Sequence, residues 1–124
     1  VHAVEGDAAM TKSLDLAARN TPNLHRISTE TRDLFRRPLE PDELLTFTGA
    51  VIDPPRAGAE AQTQTLAASR IPVIAAVSCN PVTFARDAKT LTAKGYRLDW
   101  VQVVDQFRWS THIELVARLS RTIP

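Results

Sequence analysis

Hydrophobic residues follow two alternating patterns along the chain: short apolar runs, and longer stretches with apolar residues three or four positions apart. The first pattern predicts β-strands, and the second predicts amphipathic helices. Strands are predicted at VHAVEG (1–6), HRIST (25–29), AVI (50–52), VIAAVS (73–78), YRLDWVQVVDQF (96–107) and THIELVARL (111–119). Helices are predicted at DAAMTKSLDLAARN (7–20), AGAEAQTQTLAASR (57–70) and PVTFARDAKTLTAK (81–94), the last closed by Gly95.

The alternation of strands and helices predicts an α/β fold, with a mostly parallel sheet covered on both faces. The last two strands have no helix between them, so we expect them to form an antiparallel pair. Ligands in such folds bind beyond the carboxyl ends of the strands. Polar residues stand at several of these ends, namely Glu5, Asp53, Ser78-Cys79-Asn80 and Asp105. This coincidence predicts a site at that edge of the sheet.

Composition narrows the function classes. The 124 residues, 44% of them hydrophobic, suit one globular domain, and the net charge of +1 creates no global attraction to nucleic acid. A single cysteine cannot form an internal disulfide, a thiolate-rich zinc site or an iron–sulfur cage, so we expect a reducing, cytoplasmic setting. No apolar run is long enough to span a bilayer, and the three histidines lack metal-ligand spacing.

Cys79 lies between a predicted strand and a predicted helix. Asn80 is a favoured helix N-cap, and proline, here Pro81, is favoured at the first helical position. A thiol at this place lies near the positive end of a helix dipole, which favours the thiolate and predicts a nucleophile. A buried structural cysteine is the alternative.

Asp53 follows a predicted strand and precedes two prolines, Pro54 and Pro55. A carboxylate in so stiff a loop is preorganised to contact the polar edge of a ligand. The alternative is an ordinary turn or helix-capping aspartate.

Glu114 is flanked by apolar residues in STHIELVAR, an environment that suits a general base. The alternative is an exposed strand residue that pairs with Arg118. His112 falls on the same alternate face as Glu114, either as a second acid–base group or as a structural histidine.

Two further carboxylates follow the first two strands. Glu5 ends the first strand, and an acid there takes ribose hydroxyls in dinucleotide-binding folds. Asp33 follows the next strand, where it either accepts from an adenine amino group or starts a turn. Together they predict an adenosine-containing cofactor that lies across the strand ends.

With these residues in hand, the chain resembles the RNA (uracil-5-)-methyltransferase family, which uses S-adenosylmethionine. The resemblance rests on DPPRAG (53–58), SCNPVTFARD (78–87) and DQFRWSTHIELVA (105–117), and it spans nearly the whole chain. It implies a Rossmann-like class I methyltransferase fold that methylates uridine C5 in tRNA or rRNA. Partners would be RNA, with no DNA or membrane expected.

Carried over by position, the resemblance makes Cys79 the nucleophile that adds to uracil C6, and Glu114 the base that removes the C5 proton. It places Glu5, Asp33 and Asp53 around S-adenosylmethionine, with Asp53 also near the target base. The chain departs from the family in its third motif, where Arg108 and Trp109 follow Phe107 in place of the usual proline. This departure bears on loop shape and substrate choice.

The family's glycine-rich cofactor loop precedes the strand on which this chain opens, and none of the four glycines here falls in a GxG pattern. We therefore expect residues 1–124 to be the C-terminal portion of a methyltransferase catalytic domain, without its first strand and glycine-rich loop. Such a chain alone is expected to be inactive and to bind the cofactor weakly. The gap in its sheet should invite self-association.

Two other functions stay open from the sequence. Methyl transfer to an exocyclic amine through Asp53-Pro54-Pro55 would not need Cys79. A degenerate methyltransferase-like module that binds RNA or protein would have no use for the combination of Asp53, Cys79 and Glu114, so their presence together argues against it.

Overall fold

A computed structural model describes residues 1–122, which form six strands and three helices. Their bounds are β1 His2–Glu5, α1 Ala8–Asn20, β2 Ser28–Thr31, β3 Ala50–Ile52, α2 Glu60–Ala68, β4 Val73–Ser78, α3 Pro81–Thr92, β5 Arg97–Val104 and β6 Glu114–Ser120. Internal contacts divide the chain into two compact units, residues 1–38 and the residues from 39 onward. None of the described helices is long and apolar enough to cross a bilayer.

The first unit holds β1, α1 and β2. The two strands pair in parallel from His2↔Ser28 to Glu5↔Thr31, so their carboxyl ends share one edge. The second strand was predicted at 25–29 and begins later, because its pairing with β1 starts at Ser28. Helix α1 begins where Asp7 accepts hydrogen bonds from the backbone N–H groups of Ala9 and Met10.

The second unit contains a four-stranded sheet in the order β3-β4-β6-β5. Strands β3 and β4 are parallel, whereas β6 runs antiparallel to both of its neighbours. The predicted antiparallel pairing of the last two strands is confirmed. The sequence did not indicate that β6 would enter between β4 and β5.

Both helices of the second unit pack on one face of its sheet. Side chains from the two helices join inward-facing residues of β4 and β6 in one cluster, which includes Leu66, Ala67, Ile74, Ala76, Ala88, Leu91, Ala117 and Leu119. On the opposite face, Val51 is 77% exposed. The prediction of helices on both faces is therefore wrong for the part of this unit that the structure describes.

Local sequence sets the ends of α3 as predicted. The side chain of Asn80 accepts a hydrogen bond from the Val82 N–H, and Pro81 is the first helical residue. After the helix, Gly95 adopts φ +91°, a left-handed conformation that glycine tolerates best. These caps fix where the helix begins relative to Cys79.

Asp99 joins the two C-terminal strands. It occupies a bulge in β5, between the pairs Leu98↔Leu119 and Trp100↔Arg118. Its carboxylate accepts hydrogen bonds from Arg97, Arg118 and Ser120, at 2.8, 2.6 and 3.0 Å. The bonds from Arg97 and Ser120, together with the nearby positive charges of Arg97 and Arg118, lower the pKa of Asp99. The charged carboxylate therefore stabilises the strand pair.

This shift predicts a pH-dependent stability. A carboxyl group whose pKa is lowered by folding stabilises the protein above its unfolded pKa, near 3.8, and loses that effect as the pH falls through the folded value. We expect Asp99→Asn to be less stable than wild type at pH 7, with the difference shrinking below pH 3.8. Urea unfolding between pH 7 and pH 2 measures this difference.

Asp42→Asn is the matched control, because the Asp42 carboxylate has no hydrogen bond or ion pair with another described residue. The same loss of stability at every pH in Asp99→Asn would contradict the charge argument.

Candidate active site

The register of β4 and β6 brings the predicted nucleophile and base together. Ser78 pairs with Leu115 at the last step of this antiparallel ladder. Cys79 directly follows Ser78 and Glu114 directly precedes Leu115, so both predicted residues are chain neighbours of this last pair. Ser78 and Leu115 are buried, whereas Cys79 and Glu114 are more open.

Asp53 joins them at the same edge of the sheet. It is the first residue after β3, which runs parallel to β4, so both strands end on one side. Cys79 and Glu114 are partly buried and Asp53 is exposed. None of the three side chains has a hydrogen bond or ion pair with another residue among 1–122. All three are therefore available to a ligand.

The loop that begins at Asp53 is docked on the start of α3 through the backbone of one residue. The Arg56 carbonyl accepts hydrogen bonds from the Asn80 side-chain amide at 2.9 Å and from the Thr83 hydroxyl at 3.1 Å. Asn80 thus caps its own helix with one side-chain atom and holds the loop with the other. This fixes the position of the Asp53 loop relative to the residue that follows Cys79.

A second anchor lies at the end of the same loop. The buried Asp87 carboxylate accepts from the Ala59 N–H at 2.8 Å, and Arg86 donates to the Ala57 carbonyl at 3.1 Å. Between them Gly58 is buried at φ +80°. A Cβ there would lie 2.8 Å from Asp87 Oδ2. The loop therefore needs glycine both for its conformation and for its close approach to α3.

The Arg56 side chain links the first motif to the third. One of its nitrogens, Nη1, donates to His112 Nδ1 at 3.0 Å and lies 3.5 Å from the Cys79 carbonyl oxygen. The three motifs DPPRAG, SCNPVTFARD and DQFRWSTHIELVA thus contact one another through Arg56, Cys79 and His112. The alternative pairing of Glu114 with Arg118 is wrong, because Arg118 binds Asp99 at 2.6 Å.

Glu5 and Asp33 lie in the first unit, at the shared carboxyl edge of β1 and β2. Glu5 accepts from the Asp7 N–H at 3.0 Å, and Asp33 accepts from the Phe35 N–H at 3.0 Å. Asp33 also starts a turn, since its carbonyl accepts from the N–H groups of Arg36 and Arg37. Both carboxylates are exposed and keep acceptor capacity for a ligand.

Sequence reasoning did not assign Arg56, Gly58 and Asp87 to the site. The signal in each case was weak: an arginine in a loop, an isolated glycine and a helical aspartate next to an arginine are all common. Their role depends on contacts 23 to 29 residues apart, such as those of Arg56 with Cys79 and of Arg86 with Ala57. No group of three potential metal ligands occurs within residues 1–122.

A profile of one family matches residues 9–122, which is most of the chain. It describes tRNA (Uracil-5-)-methyltransferase. The chain belongs to this family. The resemblance inferred from the three motifs is thereby confirmed.

Relatives in the family agree. The chain is 58% identical over 121 residues to an uncharacterised RNA methyltransferase of Rhizobium meliloti (strain 1021), covering 98% of this chain and 29% of that protein. It is 39% identical to the 23S rRNA (uracil(1939)-C(5))-methyltransferase RlmD of Dichelobacter nodosus, covering 99% of this chain and 29% of that enzyme. The chain therefore spans less than a third of the length of these relatives.

Solved structures confirm the Rossmann-like methyltransferase fold. The Pyrococcus abyssi tRNA (uracil-54, C5)-methyltransferase, solved in complex with S-adenosyl-L-homocysteine, matches with a TM-score of 0.72 and 32% identity. This match covers 96% of our chain and 28% of that one. A putative methyltransferase from Thermoplasma acidophilum shares the fold, with a TM-score of 0.64 at 13% identity, over 98% of our chain and 56% of its own.

The docking of the Asp53 loop yields a prediction about Gly58. Gly58→Ala would force an alanine into a left-handed conformation, at a cost of about 1–2 kcal/mol, and would also press its Cβ against α3. Gly95→Ala is the matched control, because φ there is +91° and nothing lies within 4 Å of the added Cβ. We expect Gly58→Ala to lose about 1–3 kcal/mol more than Gly95→Ala in urea unfolding, the usual cost of overpacking. Equal losses would show that the loop is not tightly docked.

Proposed function

We propose that the full-length protein methylates C5 of a uridine in RNA, with Cys79 as the nucleophile and Glu114 as the base. The observation that carries this proposal is the β4–β6 register, which ends at the pair Ser78↔Leu115, directly beside Cys79 and Glu114 at the carboxyl end of β4. Membership of the uracil-5-methyltransferase family supports the choice of substrate. We place the protein in the cytoplasm, in keeping with its single cysteine.

The residues present fit S-adenosylmethionine as the methyl donor. Its ribose hydroxyls and adenine amino group are hydrogen-bond donors, and exposed carboxylates with free acceptor capacity are what such donors need. Within the first unit, Glu5 and Asp33 offer these acceptors at one edge of the β1–β2 sheet. Within the second unit, Asp53 is an exposed carboxylate after β3. When bound, the cofactor supplies an electrophilic methyl group.

Cys79 makes the target carbon reactive. Uracil C5 is a weak nucleophile, so the thiolate of Cys79 first adds to C6 and forms a sulfur–carbon bond. The electron pair of the C5=C6 bond moves towards the C4 carbonyl and gives an enolate. C5 then has the electron density to accept a methyl group. The target base must leave its stack to reach the thiol.

Glu114 completes the reaction. Once C5 carries both a hydrogen and a methyl group, the Glu114 carboxylate removes the hydrogen as a proton. The electron pair of that C–H bond re-forms the C5=C6 double bond, and the thiolate of Cys79 leaves C6. Glu114 precedes Leu115, the partner of Ser78, so the general base belongs to the strand that neighbours the residue to which the uracil is attached.

Arg56 and Asp53 position the reactants. Through its contacts with His112 and the Cys79 carbonyl, Arg56 holds the segment before Glu114 against the loop that carries the nucleophile. Asp53 is free to accept a hydrogen bond from the N3–H of the uracil ring, the one ring donor of that base. A carboxylate there would select uracil over cytosine, whose N3 is an acceptor.

Either tRNA or rRNA fits the proposal. One solved structure similar to this chain is of an enzyme named for uracil 54 of tRNA, and RlmD is named for uracil 1939 of 23S rRNA. Transcripts of both regions are therefore the substrates to test, with a DNA version as the expected non-substrate.

The mechanism predicts opposite effects for substitutions of the two catalytic residues. With transcripts that carry 5-fluorouridine, the fluorine cannot leave as a proton, so the full-length wild-type protein should form a lasting covalent adduct. Glu114→Gln should also form it, and Cys79→Ala should not. With unmodified RNA, Glu114→Gln should lose about 10²–10⁴-fold in turnover and accumulate an adduct. Intact-mass measurement of the protein detects both adducts.

Cys79→Ser separates this chemistry from the others. Largely intact methylation in Cys79→Ser would point to transfer at an exocyclic amine, because that reaction needs no thiolate. Salt-sensitive RNA binding that survives loss of Asp53, Cys79 and Glu114, without methylation by wild type, would point to a binding module.

We further propose that residues 1–124 are the C-terminal portion of the catalytic domain and do not methylate RNA alone. Supporting this, β3 pairs only with β4 within residues 1–122, which leaves its other edge open. Titration calorimetry of the isolated chain should show cofactor binding weaker than micromolar, and micromolar affinity would contradict the proposal. Open strand edges favour self-association, so sedimentation at high concentration should show species larger than a monomer.

A further inference from the structure

The connection between β5 and β6 presents an aromatic side chain to solvent. Trp109 is 98% exposed, far more than Trp100, the other tryptophan of the chain, at 49%. Phe107 in the same loop is 43% exposed. A single exposed apolar residue is unremarkable on a protein surface, so the question is whether the loop is shaped to hold Trp109 there.

The backbone of the loop holds Trp109 in its exposed position. Trp109 adopts φ +63°, a conformation that is strained for a bulky residue and that glycine would accept freely. The turn is closed by the Ser110 N–H, which donates to the Phe107 carbonyl at 3.1 Å, and by the His112 N–H, which donates to Ser110 Oγ at 3.1 Å. The loop therefore holds the indole outward in spite of the strain.

The same loop forms an open surface hollow with a volume of about 440 Å³. The residues that line it carry aromatic rings, a carboxylate, an amide and a guanidinium; they are Asp105, Gln106, Phe107, Arg108, Trp109 and Ser110. An unpaired nucleotide matches each of these groups, since its base stacks on an aromatic ring, its edge forms hydrogen bonds and its phosphate attracts arginine.

The loop that forms the hollow is connected to the segment of the proposed nucleophile. Trp109 precedes His112 by three residues, which limits the separation of their Cα atoms to about 11 Å. His112 is hydrogen-bonded to Arg56 Nη1, and this atom lies 3.5 Å from the Cys79 carbonyl oxygen. A ligand of the hollow would thus bind to a segment that is anchored, through His112 and Arg56, to the backbone of Cys79.

We propose that the loop Asp105–Ser110 binds an unpaired nucleotide that flanks the target uridine, with its base stacked on Trp109 and its phosphate near Arg108. This inference rests on the proposed function, because it requires RNA at Cys79. A nucleotide is favoured over a protein partner because the hollow mixes one stacking face with polar groups, whereas a protein interface core is apolar. Trp109 then acts in substrate recognition and not in the chemical steps.

The test measures binding and chemistry separately in the full-length protein. Two quantities are compared in wild type, Trp109→Ala, Trp109→Phe and Trp100→Ala. They are the dissociation constant for the unmodified transcript that wild type methylates and the single-turnover methylation rate at saturating RNA. We expect Trp109→Ala to weaken binding about 5- to 100-fold, as for loss of one stacked base, and to change the saturated rate less than about twofold. Trp109→Phe should recover most of the affinity, and Trp100→Ala should bind as wild type does.

Transcripts that lack one base identify the nucleotide. A single abasic residue is placed in turn at each position beside the target uridine, and binding is measured with wild type and with Trp109→Ala. At the position that stacks on Trp109, the abasic change should weaken binding to wild type and have little further effect in Trp109→Ala. At other positions the two effects should multiply.

Unchanged affinity in Trp109→Ala would overturn the inference, and so would an equal loss in Trp100→Ala. A lower melting temperature with unchanged RNA affinity would also overturn it, and would indicate that Trp109 is covered by protein. These outcomes differ from failure of the proposed function. In that case wild type itself would form no adduct with 5-fluorouridine RNA, whatever Trp109 does.

Discussion

The antiparallel pairing of β4 with β6 is the constraint on which the candidate site depends. Side chains alternate between the two faces of a strand, so a slip of one residue would move Glu114 to the face that packs against the helices. The buried residues of both strands oppose such a slip, because Leu115, Ala117 and Leu119 would then leave the core. Hydrophobic burial on one face thus sets the relative position of the segments that carry Cys79 and Glu114. Strand β5, the other neighbour of β6, has its register fixed by the bulge at Asp99, whose side chain binds Arg118 and Ser120 of β6.

The second support of the site is made largely of backbone groups. The Asp53 loop is held by the carbonyl of Arg56 and the N–H of Ala59, which bind side chains of α3. Each such hydrogen bond contributes about 0.5–1.5 kcal/mol, so the docking depends on several of them together with the close approach at Gly58. Since α3 begins at Pro81, the element that positions the loop also fixes the residue that follows Cys79. The two motifs form one structural unit although they lie more than 20 residues apart.

Much of the fold and of the candidate site could be predicted from short stretches of sequence. The caps at Asn80-Pro81 and Gly95, the strand ends at Glu5 and Asp53, and the antiparallel C-terminal pair follow from short sequence patterns with a physical cause. The position of β6 between β4 and β5 does not, because strand order depends on contacts between distant segments. The roles of Arg56 and Asp87 were hidden for the same reason. Within the described part of the second unit, both helices lie on one face, which was mispredicted because alternation of strands and helices does not state which face each helix covers.

The site also divides its polar groups into two kinds. Asn80, Thr83, Asp87 and the Arg56 carbonyl are engaged with one another, whereas Asp53, Cys79 and Glu114 have no partner within residues 1–122. A buried polar group without a partner is costly, but these three side chains are exposed or only partly buried, so water can hydrate them in the absence of substrate. A substrate that displaces this water must supply its own donors and acceptors, which a uracil ring does along one edge. Satisfied groups thus give the site its shape, and the unsatisfied ones are those that the proposed reaction would use.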